Sequence, residues 1–180
     1  LDEDPNNKDT DNEVIQKRLN ATKRLSIVAL GDGEKSDEKL VALAKQKSGQ
    51  RAVLVFTRSV ETATKVAAES DKGEHKGKVT TLTGTMRGKE RDELVSKNPV
   101  FPRFLRERNL TPEPGTVFLV ATSAGEVGVN ISADDLICDL STHESMAQRF
   151  GSPRSTERGP VEAVGWAKKQ RRVYAQLVRF

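Results

Sequence analysis

The chain has 180 residues, 35% of them hydrophobic and only 4% aromatic, enough for one domain whose core must be mostly Val, Leu, Ile and Ala. Its 30 Lys and Arg against 26 Asp and Glu leave a net charge of +4. No apolar run approaches the length of a membrane span, no charged-then-apolar leader opens the chain, and the single Cys138 excludes an internal disulfide framework, so a bacterial-type cytoplasm is the expected location.

Residues 1–12, LDEDPNNKDTDN, are acidic, polar and without periodicity, and read as a disordered lead-in; the linker is drawn to residue 20. RLSIVAL (24–30) then predicts a buried strand, followed by a helix from Asp37 to Lys47. AVLVFT (52–57) is a second strand, and Ser59 stands as N-cap of the helix VETATKVAAES. VTTLTG (79–84) precedes the charged helix GKERDELVS, and the proline-rich segment 97–115 reads as a surface insertion with one short helix. TVFLVAT (116–122) and DLICDL (135–140) are further strands, the latter burying Cys138, and THESMAQRFG (142–151) reads as a short helix. The strands are almost continuously apolar, which implies burial on both faces. Alternation with helices implies an α/β fold, a three-layer sandwich around a mainly parallel sheet, with functional groups gathered beyond the C-terminal ends of the strands.

From Gln148 to Phe180 eight Arg and Lys face two Glu, a balance of +6, so the first 147 residues sum to −2. Basicity that suggests nucleic acid therefore belongs to the tail. The final QRRVYAQLVRF (170–180) fits either an edge strand or an amphipathic helix, and Trp166 has no assigned role.

GDGEKSD (31–37) sits where a phosphate-binding loop would, between a strand and a helix. Such a loop needs a second glycine directly before Lys-Ser; here that place holds Glu34, whose carboxylate would repel a phosphate. Turn and helix cap is the better reading, and a small nucleotide-binding enzyme using this loop is the weakest functional alternative. His75, His143 and Cys138 have no metal-ligand spacing, and both histidines are expected at the surface. TVFLVATSAGEVGVNI (116–131) is more informative. A buried strand ends in Thr122 and Ser123, then Gly125 and Gly128 allow close backbone approach to a ligand.

Together with its neighbours this stretch resembles the C-terminal RecA-like motor domain of superfamily-2 helicases. VLVFTRSVETATKVA is similar to their fourth motif, LTGTMRGKERDEL to the segment that contacts the sugar-phosphate backbone, VATSAGEVGVNI to motif V and MAQRFG to the start of motif VI. The order and intervals match over roughly residues 50–151, and the wording is most similar to the helicase–nuclease of type I CRISPR systems. The resemblance divides the chain into the linker 1–20, a helicase C-terminal domain 21–151 and a diverging basic tail 152–180. It implies a P-loop NTPase type of fold without its own P-loop. The N-terminal motor domain and the histidine–aspartate nuclease domain of such an enzyme lie outside these residues.

By resemblance, Thr57, Arg58, Thr83, Gly84, Thr122 and Ser123 are implied in gripping single-stranded DNA by its phosphates. Gly128 and Asn130 would face the nucleotide cleft, with Asn130 standing where many relatives have aspartate. Gln148 and Arg149 would supply the catalytic half-motif. The implied cofactor is ATP with magnesium, held mainly by the N-terminal motor domain. Implied partners are that domain, the DNA strand and a CRISPR surveillance complex of antiviral defence. The family pattern Gln-Arg-x-Gly-Arg-x-x-Arg continues here as QRFGSPRS, with Ser152 and Ser155 at the later arginine positions. Those guanidiniums stabilise transferring phosphoryl charge, an effect of about 10³–10⁵ in rate in related systems. Arg154 is one place off and Pro153 restricts any slide, so the motif is begun and not completed. Natural divergence is one explanation; a shifted reading frame or chain fragment is the other, and the abrupt change favours it. The isolated chain is expected to be inactive as an ATPase, and a non-enzymatic nucleic-acid-binding module derived from a motor domain is the alternative function.

Overall fold

The computed structural model describes residues 24–84, 88–105, 114–122, 131–140 and 160–165. In chain order these form β1 (Arg24–Ala29), α1 (Ser36–Lys45), β2 (Ala52–Thr57), α2 (Val60–Ser70), β3 (Val79–Leu82), α3 (Gly88–Lys97), β4 (Val117–Thr122), β5 (Asp135–Asp139) and β6 (Pro160–Gly165). Single 3₁₀ turns lie at Gly73–His75 and Phe101–Phe104. The six strands make one sheet in the order β1-β6-β5-β2-β4-β3, and every pair is parallel.

The central strands are buried along their whole length because both faces are covered. Val53 and Val55 of β2, Phe118 and Val120 of β4 and Ile137 of β5 pack under Leu40, Leu43 and Ala44 of α1 and Ala63 and Val66 of α2. The alternate residues Leu54, Phe56, Leu119, Ala121, Leu136 and Cys138 point to the other face, onto Leu94 of α3 and the turn residues Phe101 and Phe104. This period of two, apolar on both sides, makes the sheet the middle of three layers. Handedness explains the sorting. The chain moves one way across the sheet through α1 and α2 and the opposite way after β3, and right-handed crossovers put those connections on opposite faces.

Three expectations are corrected. Segment 97–115 is not simply a surface insertion: Phe101 and Phe104 are fully buried, and Arg103 is 7% exposed. Residues three apart on a 3₁₀ turn share a side, so FPRF drives two rings into one face of the core. Arg103 reaches the carbonyl of Gln50 through Nη2 at 2.7 Å, which satisfies a buried guanidinium group. His75 is buried too, edge-on to Phe118 with ring centroids 4.9 Å apart. Finally, α1 starts at Ser36 after Lys35, which makes no side-chain cap bond. The capping role of Ser59 on α2 holds: its Oγ accepts from the Thr62 N–H at 3.1 Å.

A strand at Pro160–Gly165 was not expected from the sequence. It lies inside the sheet between β1 and β5, with Val161 opposite both Leu25 and Leu136. Pro160 is its first residue, where proline is compatible with a sheet. The short helix expected at 142–151 and the final QRRVYAQLVRF lie outside the described residues, as does the lead-in 1–20.

Candidate nucleic-acid interface

The parallel register brings polar residues to one level at the C-terminal end of the sheet. Cys138 pairs with Phe56, which sets Asp139 beside Thr57; Thr57 pairs with Thr122; and Leu82 pairs with Ala121, which sets Thr83 beside Thr122. Asp139, Thr57, Thr122 and Thr83 thus form a row across four strands, drawn from positions up to 82 residues apart. All four are buried. The exposed groups sit one residue further on, at Arg58 and Gly84.

Each end is fixed locally. Thr57 Oγ1 donates to the Ser59 carbonyl at 3.0 Å, so this hydroxyl holds the turn into α2. The Gly84 N–H donates to Thr122 Oγ1 at 3.4 Å, which joins the exits of β3 and β4. Asp139 Oδ2 accepts the Arg58 backbone N–H at 2.8 Å and its Nε–H at 3.2 Å. The Arg58 side chain is 65% exposed against 7% for Asp139, so a solvated cation is anchored by a covered carboxylate. Such a surface offers a guanidinium to oxyanions, the chemistry used to hold nucleic-acid backbones without reading bases.

Of the residues singled out in the sequence, the structure gathers Thr57, Arg58, Thr83, Gly84 and Thr122 on one edge. Ser123, Gly128, Asn130, Gln148 and Arg149 lie outside the described residues, as do His143, Ser152, Pro153, Arg154 and Ser155. Asp139 was missed. Its signal is a carboxylate closing a strand whose middle, Leu136–Cys138, is apolar, where a buried charge must meet a donor.

GDGEKSD behaves as a turn. The Glu34 N–H donates to the Gly31 carbonyl at 3.1 Å, and Glu34 Oε2 in return accepts from the Gly31 N–H at 2.7 Å. That hydrogen bond first, and then Lys39, holds the Glu34 carboxyl below the usual glutamate range. The loop's own carboxylate takes the donor that a phosphate would need, so these residues do not fit a nucleotide phosphate. Among the described residues no cluster of His, Cys, Asp or Glu is arranged to hold a metal, and no helix is long and apolar enough to cross a membrane.

A three-layer parallel fold with polar strand ends is common to many nucleotide- and nucleic-acid-handling domains, and the comparisons with known proteins make this one a C-terminal RecA-like helicase domain. The family model described as "CRISPR-associated nuclease/helicase Cas3, C-terminal" matches residues 49–155, and the chain belongs to that Cas3-like family. The match reaches four residues beyond Gly151. Among solved structures, the chain is similar to T. fusca Cas3-ADP, with a TM-score of 0.59 and 18% identity over 82% of this chain and 18% of that one. It is also similar to the C-terminal domain of the DEAD-box protein Dbp5, with a TM-score of 0.58 and 18% identity over 83% of this chain and 79% of that one. The chain therefore spans under a fifth of the Cas3 chain that it matches. No curated protein sequence matches it.

Proposed function

We propose that this chain acts as the C-terminal motor half of an ATP-dependent DNA helicase of CRISPR antiviral defence. It grips single-stranded DNA by its phosphates and closes the ATP cleft against an N-terminal motor domain. The observation that carries the reading is the gathering of Arg58, Gly84 and Thr122 at one sheet edge in a chain whose residues 49–155 match the Cas3-like family. Contacts of this kind give affinity without sequence preference and with steep salt dependence.

ATP and magnesium enter through the partner domain. The loop at Gly31 is closed to phosphate by Glu34, so this chain has no phosphate cradle at that position. Gln148 and Arg149 are the residues assigned to the cleft from this side, together with Gly128 and Asn130. When bound, ATP supplies the hydrolysis energy for movement along the strand; what this chain contributes is grip and charge across the cleft. A CRISPR surveillance complex is the proposed source of the opened DNA.

The test is reconstitution. The N-terminal motor domain and this chain are mixed, and phosphate release is followed with and without single-stranded DNA. DNA-stimulated release above that of either part alone supports the reading; additive rates sink it. A second arm replaces Ser152 and Ser155 by Arg and everything after them by a family-like end. If the unrepaired chain stimulates its partner as strongly, those serines do not mark a lost arginine finger.

A further inference from the structure

Neighbouring strands β5 and β2 send the chain in opposite directions. From β2 it runs to β3, beyond β4; from β5 it runs to β6, on the other side. In open parallel sheets a crevice for ligands opens at the strand ends where connections diverge in this way. Asp139 is the last residue of β5 and Arg58 directly follows β2, so the pair stands where the connections diverge.

The bonding pattern is asymmetric. One buried oxygen, Asp139 Oδ2, accepts from the backbone N–H and from Nε–H of Arg58. A pair serving only to neutralise the carboxylate would use two guanidinium N–H groups side by side, one on each carboxylate oxygen. Here the Nη groups make no hydrogen bond among the described residues, and the side chain stays 65% exposed. Holding Nε fixes the guanidinium plane and leaves its outer donors for another acceptor.

We infer that Asp139 is a positioning residue: it aims the Arg58 guanidinium so that its two Nη groups meet one phosphate of a single strand. The inference rests on the nucleic-acid reading above, and it makes a prediction of opposite sign to simple electrostatics. Removing the Asp139 charge makes the surface more positive, which by field alone tightens binding of a polyanion. Loss of aim weakens it, because the long side chain must then be ordered on binding.

The experiment measures binding of fluorescein-labelled oligo(dT) to the full 180-residue chain across a salt series. Arg58→Ala should weaken binding and reduce the salt slope by about 0.7, the value of one single-strand phosphate contact. Asp139→Asn should weaken binding by about 3- to 10-fold, the equivalent of releasing one rotamer-rich side chain. In the Arg58→Ala background, Asp139→Asn should cost nothing further. Tighter or unchanged binding by Asp139→Asn overturns the inference while leaving the Arg58 contact standing. Equal weakening in both backgrounds also overturns it. If Asp139→Asn does not fold, Arg58→Lys carries the test, since it keeps the charge and loses the Nε–H; binding equal to wild type then refutes positioning. If the wild-type chain does not bind oligo(dT), the strand-gripping reading falls. The positioning is then decided by NMR with inorganic phosphate: the Arg58 Nε–H signal should shift in wild type and not in Asp139→Asn, and no shift in either overturns it.

Discussion

Gly84 donates its backbone N–H to Thr122 Oγ1 at 3.4 Å, so the residue leaving β3 is tied to the last residue of β4. Thr122 itself is buried and Gly84 exposed, which makes the bond a bridge from the core edge to the proposed interface. Thr122→Val keeps the shape and removes the acceptor. It should lower stability by about 0.5–1.5 kcal/mol and weaken oligo(dT) binding, while Thr122→Ser should keep most of both. Urea unfolding and fluorescence anisotropy check the two halves. Unchanged binding by the valine variant would remove Thr122 from the interface.

The ring of Phe101 is fully buried against the sheet face formed by alternate residues of β2, β4 and β5. Phe101→Ala should therefore cost about 3–5 kcal/mol, the usual effect of removing a core aromatic. A surface insertion would lose almost nothing. Denaturant midpoints of the two proteins decide between these outcomes, provided that the slopes agree.

Ending the chain at Gly151 should damage the sheet and not only trim a basic tail. Among the described residues β1 pairs with β6 and with no other strand, so the shortened protein leaves Arg24–Ala29 without that ladder. Amide exchange in β1 should rise towards unprotected rates, while β2 and β4, which pair with each other, stay slower. Unchanged protection in β1 would show that Pro160–Gly165 is not in the sheet. A shortened chain that has lost DNA binding must pass this check before the loss is assigned to the missing tail charge.

Glu34 provides a pH test. Its carboxyl is held below the ordinary glutamate range chiefly by the Gly31 N–H, with Lys39 adding a hydrogen bond and its charge. A group with a lowered folded-state value contributes stability above the ordinary range and loses it as pH falls through the lowered value. The side chain should titrate below free glutamate by NMR. Any stability difference between wild type and Glu34→Gln should be present at neutral pH and vanish in acid. A midpoint at or above the ordinary value would mean that the turn at Gly31 is not closed by this side chain.

Much of the fold was legible because its strands carry their own evidence. AVLVFT and VFLVAT are apolar at every position before their closing threonines, and only burial on both faces permits that. The Ser59 cap was equally local, a hydroxyl one residue before a helical run. Thr57, Thr83 and Thr122 could be picked from motif wording, and their common level followed from parallel strands ending together. The remainder depends on contacts between distant residues, which no local pattern records. PVEAVG is short, carries Glu162 and lies between glycines, so its strand state comes from the β1 and β5 ladders on either side. Phe101 and Phe104 looked like part of a proline-rich surface segment because nothing in sequence reveals the sheet face waiting for them. The Arg58–Asp139 pair joins residues 81 positions apart, and neither could be matched to the other before β5 was laid beside β2. Sequence determined that AVLVFT and VFLVAT had to be buried strands and VETATKVAAES a capped helix, since that is set by side-chain chemistry along the chain. Tertiary structure alone decided which strand ends met and where a carboxylate would hold a guanidinium, because strand order and register are products of packing.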